Sequence, residues 1–220
     1  MKVQLCDVRG DGHCYYRCVW QVAQQDACAS KALYLTETDE TEETQGALEV
    51  RYFVVMSLRN DSNAIDVLRR LLVLADETTD QETLSALKES YPILGEFSRD
   101  KSFDTVLTRV RDQIEHTNIY ASSFEHEIVK TKLSLDADLC ILVLCKAIGD
   151  ENEDIADKWL RQLHKQLQHV TESRVAVIIN CDNLHYMYLK WRCNDMSVVL
   201  STRDLHEYVN TMMSLDSDSE

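Results

Sequence analysis

Gly10-Asp11-Gly12-His13-Cys14-Tyr15-Tyr16-Arg17-Cys18-Val19-Trp20 reads as a tight turn that delivers a cysteine to the start of a helix. Gly10 and Gly12 permit positive φ and close backbone approach. Asp11 is a good helix cap, and its oxygens can hold the N–H groups of the turn. From Tyr15 to Gln25 there is no Gly or Pro, and Tyr16, Val19, Trp20 and Ala23 recur at helical spacing. Cys14 is therefore expected at a helix N-terminus. The macrodipole and free N–H groups there favour a thiolate over a thiol, and the same donors suit an oxyanion. By itself a cysteine is most often a small buried hydrophobe, so the case for chemistry needs a second stretch.

The 220 residues fit one domain, and 45% hydrophobic content is enough for a sizeable core. We expect that domain over residues 1–213, followed by an acidic, solvated tail over 214–220. A formal net charge of −15 disfavours nonspecific attraction to nucleic acid or anionic membrane. No apolar run approaches the roughly 20 residues of a membrane span, and Met1 to Leu5 lacks the core of a signal peptide. Of the eight cysteines, Cys140, Cys145 and Cys181 lie in apolar, strand-like runs where buried free thiols are expected. No C-x-x-C pair is present, which disfavours a zinc ribbon. These features point to a reduced, cytoplasmic protein.

The front half reads as helical. Stripes of apolar residues predict helices from Cys14 to near Gln25–Ala29, from Ala47 to Leu58 with Thr44 as cap, from Ala64 to Ala75, and from Thr78 or Thr79 to Leu87. Ser102 is placed to cap a helix over Phe103 to Ile114. Thr36 to Thr44 reads as an acidic exposed segment, and Asp150 to Asp154 as an acidic loop. The back half alternates. A helix over Phe124 to Leu135 precedes a buried strand over Asp138 to Cys145; a helix over Ile155 to His169 precedes a second strand over Arg174 to Asn180. A polar turn, Cys181-Asp182-Asn183-Leu184, leads to a third strand over His185 to Trp191, a short one near Val198 to Leu200, and a last helix from Asp204 to Met213, with Thr202 as its possible cap. Helices in front and strands behind predict one α+β domain.

His185 opens the third strand directly after the polar turn, where its side chain can reach a cleft. A cysteine nucleophile needs such an imidazole to take its proton and later to protonate the leaving amine. The other histidines read differently: His116 and His126 flank a loop, and His164, His169 and His206 lie on exposed helix faces.

Asp11-Gly12-His13-Cys14 with Tyr15-Tyr16-Arg17 resembles the Asp-Gly-Asn-Cys-Leu-Tyr/Phe-Arg signature of ovarian tumour (OTU) domain cysteine proteases. His185-Tyr186 is similar to the His-Tyr pair of that family. Between them, Glu127-Ile128, Leu135 and the strand from Cys140 to Leu144 resemble its Glu-Leu helix and following strand. The likeness spans about residues 7–191 and rests on order and separation as much as on the motifs. Three positions depart from the pattern. His13 stands where the family usually has Asn, and Tyr120-Ala121-Ser122-Ser123 replaces an aromatic-Gly pair. Met187 occupies the place, two residues after the His, where Asp or Asn usually orients the imidazole. Candidates for the orienting acceptor are Asn183 (which ranks first because its turn directly precedes His185), Asp182 and Asp7; alternatively a backbone carbonyl serves, or the site is a dyad.

The resemblance implies an OTU-like, papain-type α+β fold, a small central β-sheet flanked by helices. It implies hydrolysis of isopeptide bonds at the C-terminus of ubiquitin or a ubiquitin-like modifier. Cys14 is then the nucleophile, His185 base and acid, and backbone N–H groups around Asp11 to Cys14 the oxyanion donors, with Asn183 the first-ranked of the candidate orienters. No metal or cofactor is needed, the partners are ubiquitin conjugates, and a monomer is expected. The alternative is an inactive OTU-like module that binds ubiquitin or another protein.

Overall fold

The computed structural model describes residues 2–35, 43–77, 85, 102–116, 121, 123–146, 155–181, 185–192 and 196–217. In chain order the elements are β1 (Lys2–Asp7), α1 (Cys14–Gln24), α2 (Ala27–Ala32), α3 (Glu43–Asn60), α4 (Ser62–Glu77), α5 (Phe103–His116), α6 (Ser123–Ala137), β2 (Leu139–Lys146), α7 (Ile155–Leu167), β3 (Arg174–Cys181), β4 (His185–Arg192), β5 (Met196–Ser197), β6 (Val199–Ser201) and α8 (Thr202–Ser217). The chain is thus mixed α+β.

The main path of the sheet runs β1-β4-β3-β2, with β5 beside β4 and β6 beside β3. β2 and β3 are parallel, the other pairs antiparallel. The parallel pair needs a crossover, and α7 supplies it. Side chains alternate across the sheet. Val175, Val177, Ile179, Leu189 and Trp191 pack with Leu163 and Leu167 of α7 and Leu205 and Val209 of α8. Ile141, Ala176, Ile178, Tyr186 and Tyr188 belong to the other core, with α1 and α3 through α6. The continuous apolar runs of β2 and β3 are therefore explained by burial on both faces.

Helix ends follow local chemistry. Ser102 Oγ accepts the Thr105 N–H at 3.3 Å, the expected cap of α5. The helix from Cys14 ends at Gln24, next to the expected Gln25, and Asp26 accepts from the Ala29 N–H at 2.9 Å to start the short α2 directly after it. The buried Asp26 carboxylate also pairs with Arg174, tying α2 to the head of β3. Asp138 adopts φ 49°, the left-handed conformation that ends α6. Thr44 lies inside α3 and is not its cap. Ser201 Oγ, not Thr202, accepts the Asp204 N–H at 3.1 Å, and α8 continues to Ser217, into the stretch expected to be tail. The helix expected to reach Leu87, the acidic loop Asp150 to Asp154 and nearly all of the acidic segment before Thr44 fall outside the described residues.

Cys140 is buried as expected, but Cys145 is exposed and Cys181 half-buried, both at the C-terminal ends of their strands. Among the described residues, Cys6, Cys14, Cys18, Cys28, Cys140, Cys145 and Cys181 are free thiols. Among the described residues no helix is long and apolar enough to cross a membrane.

Candidate functional site

α1 begins at Cys14, and its N-cap is His13, which makes no side-chain capping bond. Asp11 is therefore not the cap. Its Oδ1 instead accepts the His13 N–H at 3.2 Å, two residues on. Gly12 has φ 84°, a conformation that a side chain disfavours. Gly10 meets a different demand: a Cβ there would lie 3.3 Å from His185 Nδ1. The two glycines thus do separate work, one turning the chain and the other letting backbone lie against the imidazole.

β1 and β4 pair with Asp7 directly opposite Met187. Cross-strand partners share a face, and so do residues two apart on one strand. Asp7 is consequently the diagonal neighbour of His185, and its Oδ1 lies 2.5 Å from His185 Nε2. The same oxygen accepts the Val8 N–H at 2.9 Å. A carboxylate only accepts, so Nε2 carries the hydrogen. Nδ1, the nitrogen against Gly10, is left as the basic one. The imidazole thus has a carboxylate acceptor from the adjacent strand, at the position facing Met187. Asn183 and Asp182, the turn candidates, lie outside the described residues.

Cys14 is wholly buried. The N–H groups of Tyr186, Tyr15 and Cys14 itself face its sulfur and favour the thiolate, but burial outweighs them and pushes the thiol up from its ordinary value. Burial thus works against the expected thiolate: desolvation exceeds the help of the helix N-terminus. The contact with Tyr186, the residue after His185, sets the sulfur beside the head of β4.

Asp11 binds both terminal nitrogens of Arg17, with Nη2 at 2.8 Å. Arg17 is 1% exposed and also donates to the Arg9 carbonyl at 3.3 Å. The Asp11 N–H goes to the Arg9 carbonyl at 3.2 Å. The Asp11 and His13 N–H groups are thus engaged within the loop.

Below this loop lies an aromatic support. Tyr15 packs edge-on against Tyr186, centroids 5.3 Å apart, and its hydroxyl lies 3.3 Å from His126 Nδ1. The Tyr186 hydroxyl donates to the Ala121 carbonyl at 3.3 Å. His126 lies in the first turn of α6 and His116 at the end of α5, on either side of the connection between them as expected. Glu125, in the same helix, is buried at 2% exposure, whereas Glu127 lies near Lys130 at 3.9 Å. Arg51 of α3 donates to the Ile114 carbonyl and lies 3.5 Å from His13 Nδ1.

A separate groove of about 990 Å³ follows the outer face of α3, lined by Tyr34, Leu48, Tyr52 and Lys132 among others. Cys14, His185 and Asp7 do not line it. No group of three or more metal-ligating side chains occurs among the described residues. A scan against protein-family models gives no match, and a search of curated proteins gives none either.

Proposed function

We propose that the protein is a thiol-dependent hydrolase of OTU-like, papain-type fold that cleaves isopeptide bonds at the C-terminus of ubiquitin or a ubiquitin-like modifier. The observation that carries this reading is the Asp7–His185 hydrogen bond at 2.5 Å, with Cys14 at the start of α1 and its sulfur facing the N–H of Tyr186, the residue after His185. Asp7 fixes the imidazole with Nε2 protonated, so that Nδ1 is the base. Because the Cys14 thiol is pushed up, proton transfer to His185 accompanies attack on the carbonyl and does not precede it. The tetrahedral oxyanion is held by the Gly12 and Cys14 N–H groups. Collapse of this intermediate breaks the C–N bond, His185 protonates the leaving amine, and water then releases the acyl group from sulfur.

The complete burial of Cys14 favours a second reading, an inactive module of the same fold that binds the modifier. Turnover of a fluorogenic ubiquitin C-terminal amide separates the two. The hydrolase reading expects wild-type turnover that Cys14→Ala abolishes while the melting temperature is kept. Turnover that survives Cys14→Ala contradicts it.

A further inference from the structure

We infer that Asp11 is a positioning residue: gripped by Arg17, it sets the loop from Arg9 to Cys14 and does not touch substrate. The inference rests on the reading of Cys14 as nucleophile.

A carboxylate offers about four lone-pair sites. Asp11 Oδ1 faces Arg17 Nη1 and the His13 N–H, and Oδ2 faces Arg17 Nη2 at 2.8 Å and Arg9 Nε at 3.6 Å. Both oxygens are committed inward. The Arg17 contact also holds the carboxyl below its ordinary range, which makes it a poor base near neutral pH.

Arg17 lies three residues after Cys14 on the same helix. Its guanidinium grips Asp11 and the Arg9 carbonyl together, so the loop is fastened to the helix that carries the sulfur. The far side of the guanidinium meets α3, with Thr44 Oγ1 at 3.4 Å and Glu43 at 3.9 Å. Arg9 is 75% exposed, Gly10 and Gly12 have no side chain to pack, and His13, whose Nδ1 lies 3.5 Å from Arg51, makes no side-chain capping bond. A bidentate pair with its guanidinium buried is the kind of contact that fixes orientation as well as position. Two geometries depend on it: Gly10 against His185 Nδ1, and the direction of the Gly12 and Cys14 N–H groups.

Asp11→Ala, Arg17→Met, Arg17→Lys and the Asp11→Ala/Arg17→Met double variant test this. Turnover and hydrogen–deuterium exchange of residues 9–13 are measured on each full-length protein. We expect Asp11→Ala and Arg17→Met each to lower kcat about 100-fold, the usual scale for a misplaced reacting group or a lost oxyanion donor. KM should stay within about threefold, since no substrate contact is lost. Arg17→Lys, which keeps the charge but loses the fork, should retain more activity than Arg17→Met. The double variant should be no worse than the worse single one, and exchange at residues 9–13 should rise in each of the three variants that lose a partner. Multiplied losses in the double variant, or a raised KM at unchanged kcat, would overturn the inference. So would unchanged loop exchange, which is read without any substrate: a wild type that cleaves no ubiquitin refutes the hydrolase reading and leaves exchange to decide the clamp. If Asp11→Ala does not fold, Asp11→Asn, which lacks the charge, carries the same comparison.

Discussion

His185 has one ring nitrogen on Asp7 and the other against Gly10, and this division fixes what single substitutions should do. Removing the orienter costs up to roughly 10⁴-fold in a serine triad. Asp7 is largely exposed, with 76% of its side chain open to solvent, so a smaller loss is expected here. Asp7→Ala should lower kcat/KM about 10²- to 10³-fold, whereas Asn183→Ala and Met187→Ala should each cost little. Kinetics of the three variants on a fluorogenic ubiquitin substrate decide this, and a large loss in Asn183→Ala with Asp7→Ala silent would reverse the assignment. The cysteines make a second prediction. Cys14 is buried and its thiol pushed up, while Cys28 and Cys145 are exposed. Brief iodoacetamide labelling near pH 7 should therefore reach Cys28 and Cys145 before Cys14. Peptide mapping that finds Cys14 first would show that the N–H groups around its sulfur outweigh burial after all.

The elements explain which of these features the sequence displays. A helix starting at Cys14 is legible because Gly10, Gly12 and the uninterrupted run after them are local signals. The strands β2, β3 and β4 are legible as apolar runs with caps and turns around them. Register is not local. Asp7 ends a six-residue strand whose side chains are almost all exposed, so no apolar alternation marks its partner or its pairing. Only the antiparallel pairing with β4, which sets Asp7 opposite Met187, gives it a role. The Asp11–Arg17 clamp was hidden for a similar reason: the spacing allows Asp11 to cap α1, and tertiary burial of Arg17 redirects the carboxylate. α6 supplies a pH-dependent consequence. Burial, aided by Lys130, pushes the His126 imidazole down to about 4. Below about pH 6.5 the unfolded chain takes up a proton on this ring that the folded protein refuses until about pH 4. Stability from this group is thus present above pH 6.5 and lost as pH falls through that window. Melting temperatures from pH 7 to 4.5 should decline less steeply in His126→Gln than in wild type; parallel declines would contradict the buried, neutral ring.

For the molecule as a whole, the sheet has helices on both faces and the site lies where β1 and β4 meet the head of α1. Three separate segments supply Asp7, Cys14 and His185, 178 residues apart from first to last. The −15 charge suits a basic substrate tail, since opposite charge steers encounter. The central claim is that this junction is a nucleophilic site for the C-terminus of ubiquitin or a ubiquitin-like modifier. The most direct measurement is intact-mass analysis after incubation with ubiquitin bearing a C-terminal electrophile, followed by peptide mapping. A single adduct on Cys14, slowed in Asp7→Ala and absent in Cys14→Ala, is the predicted result; no adduct, or one on Cys28 or Cys145 that persists in Cys14→Ala, would contradict the account.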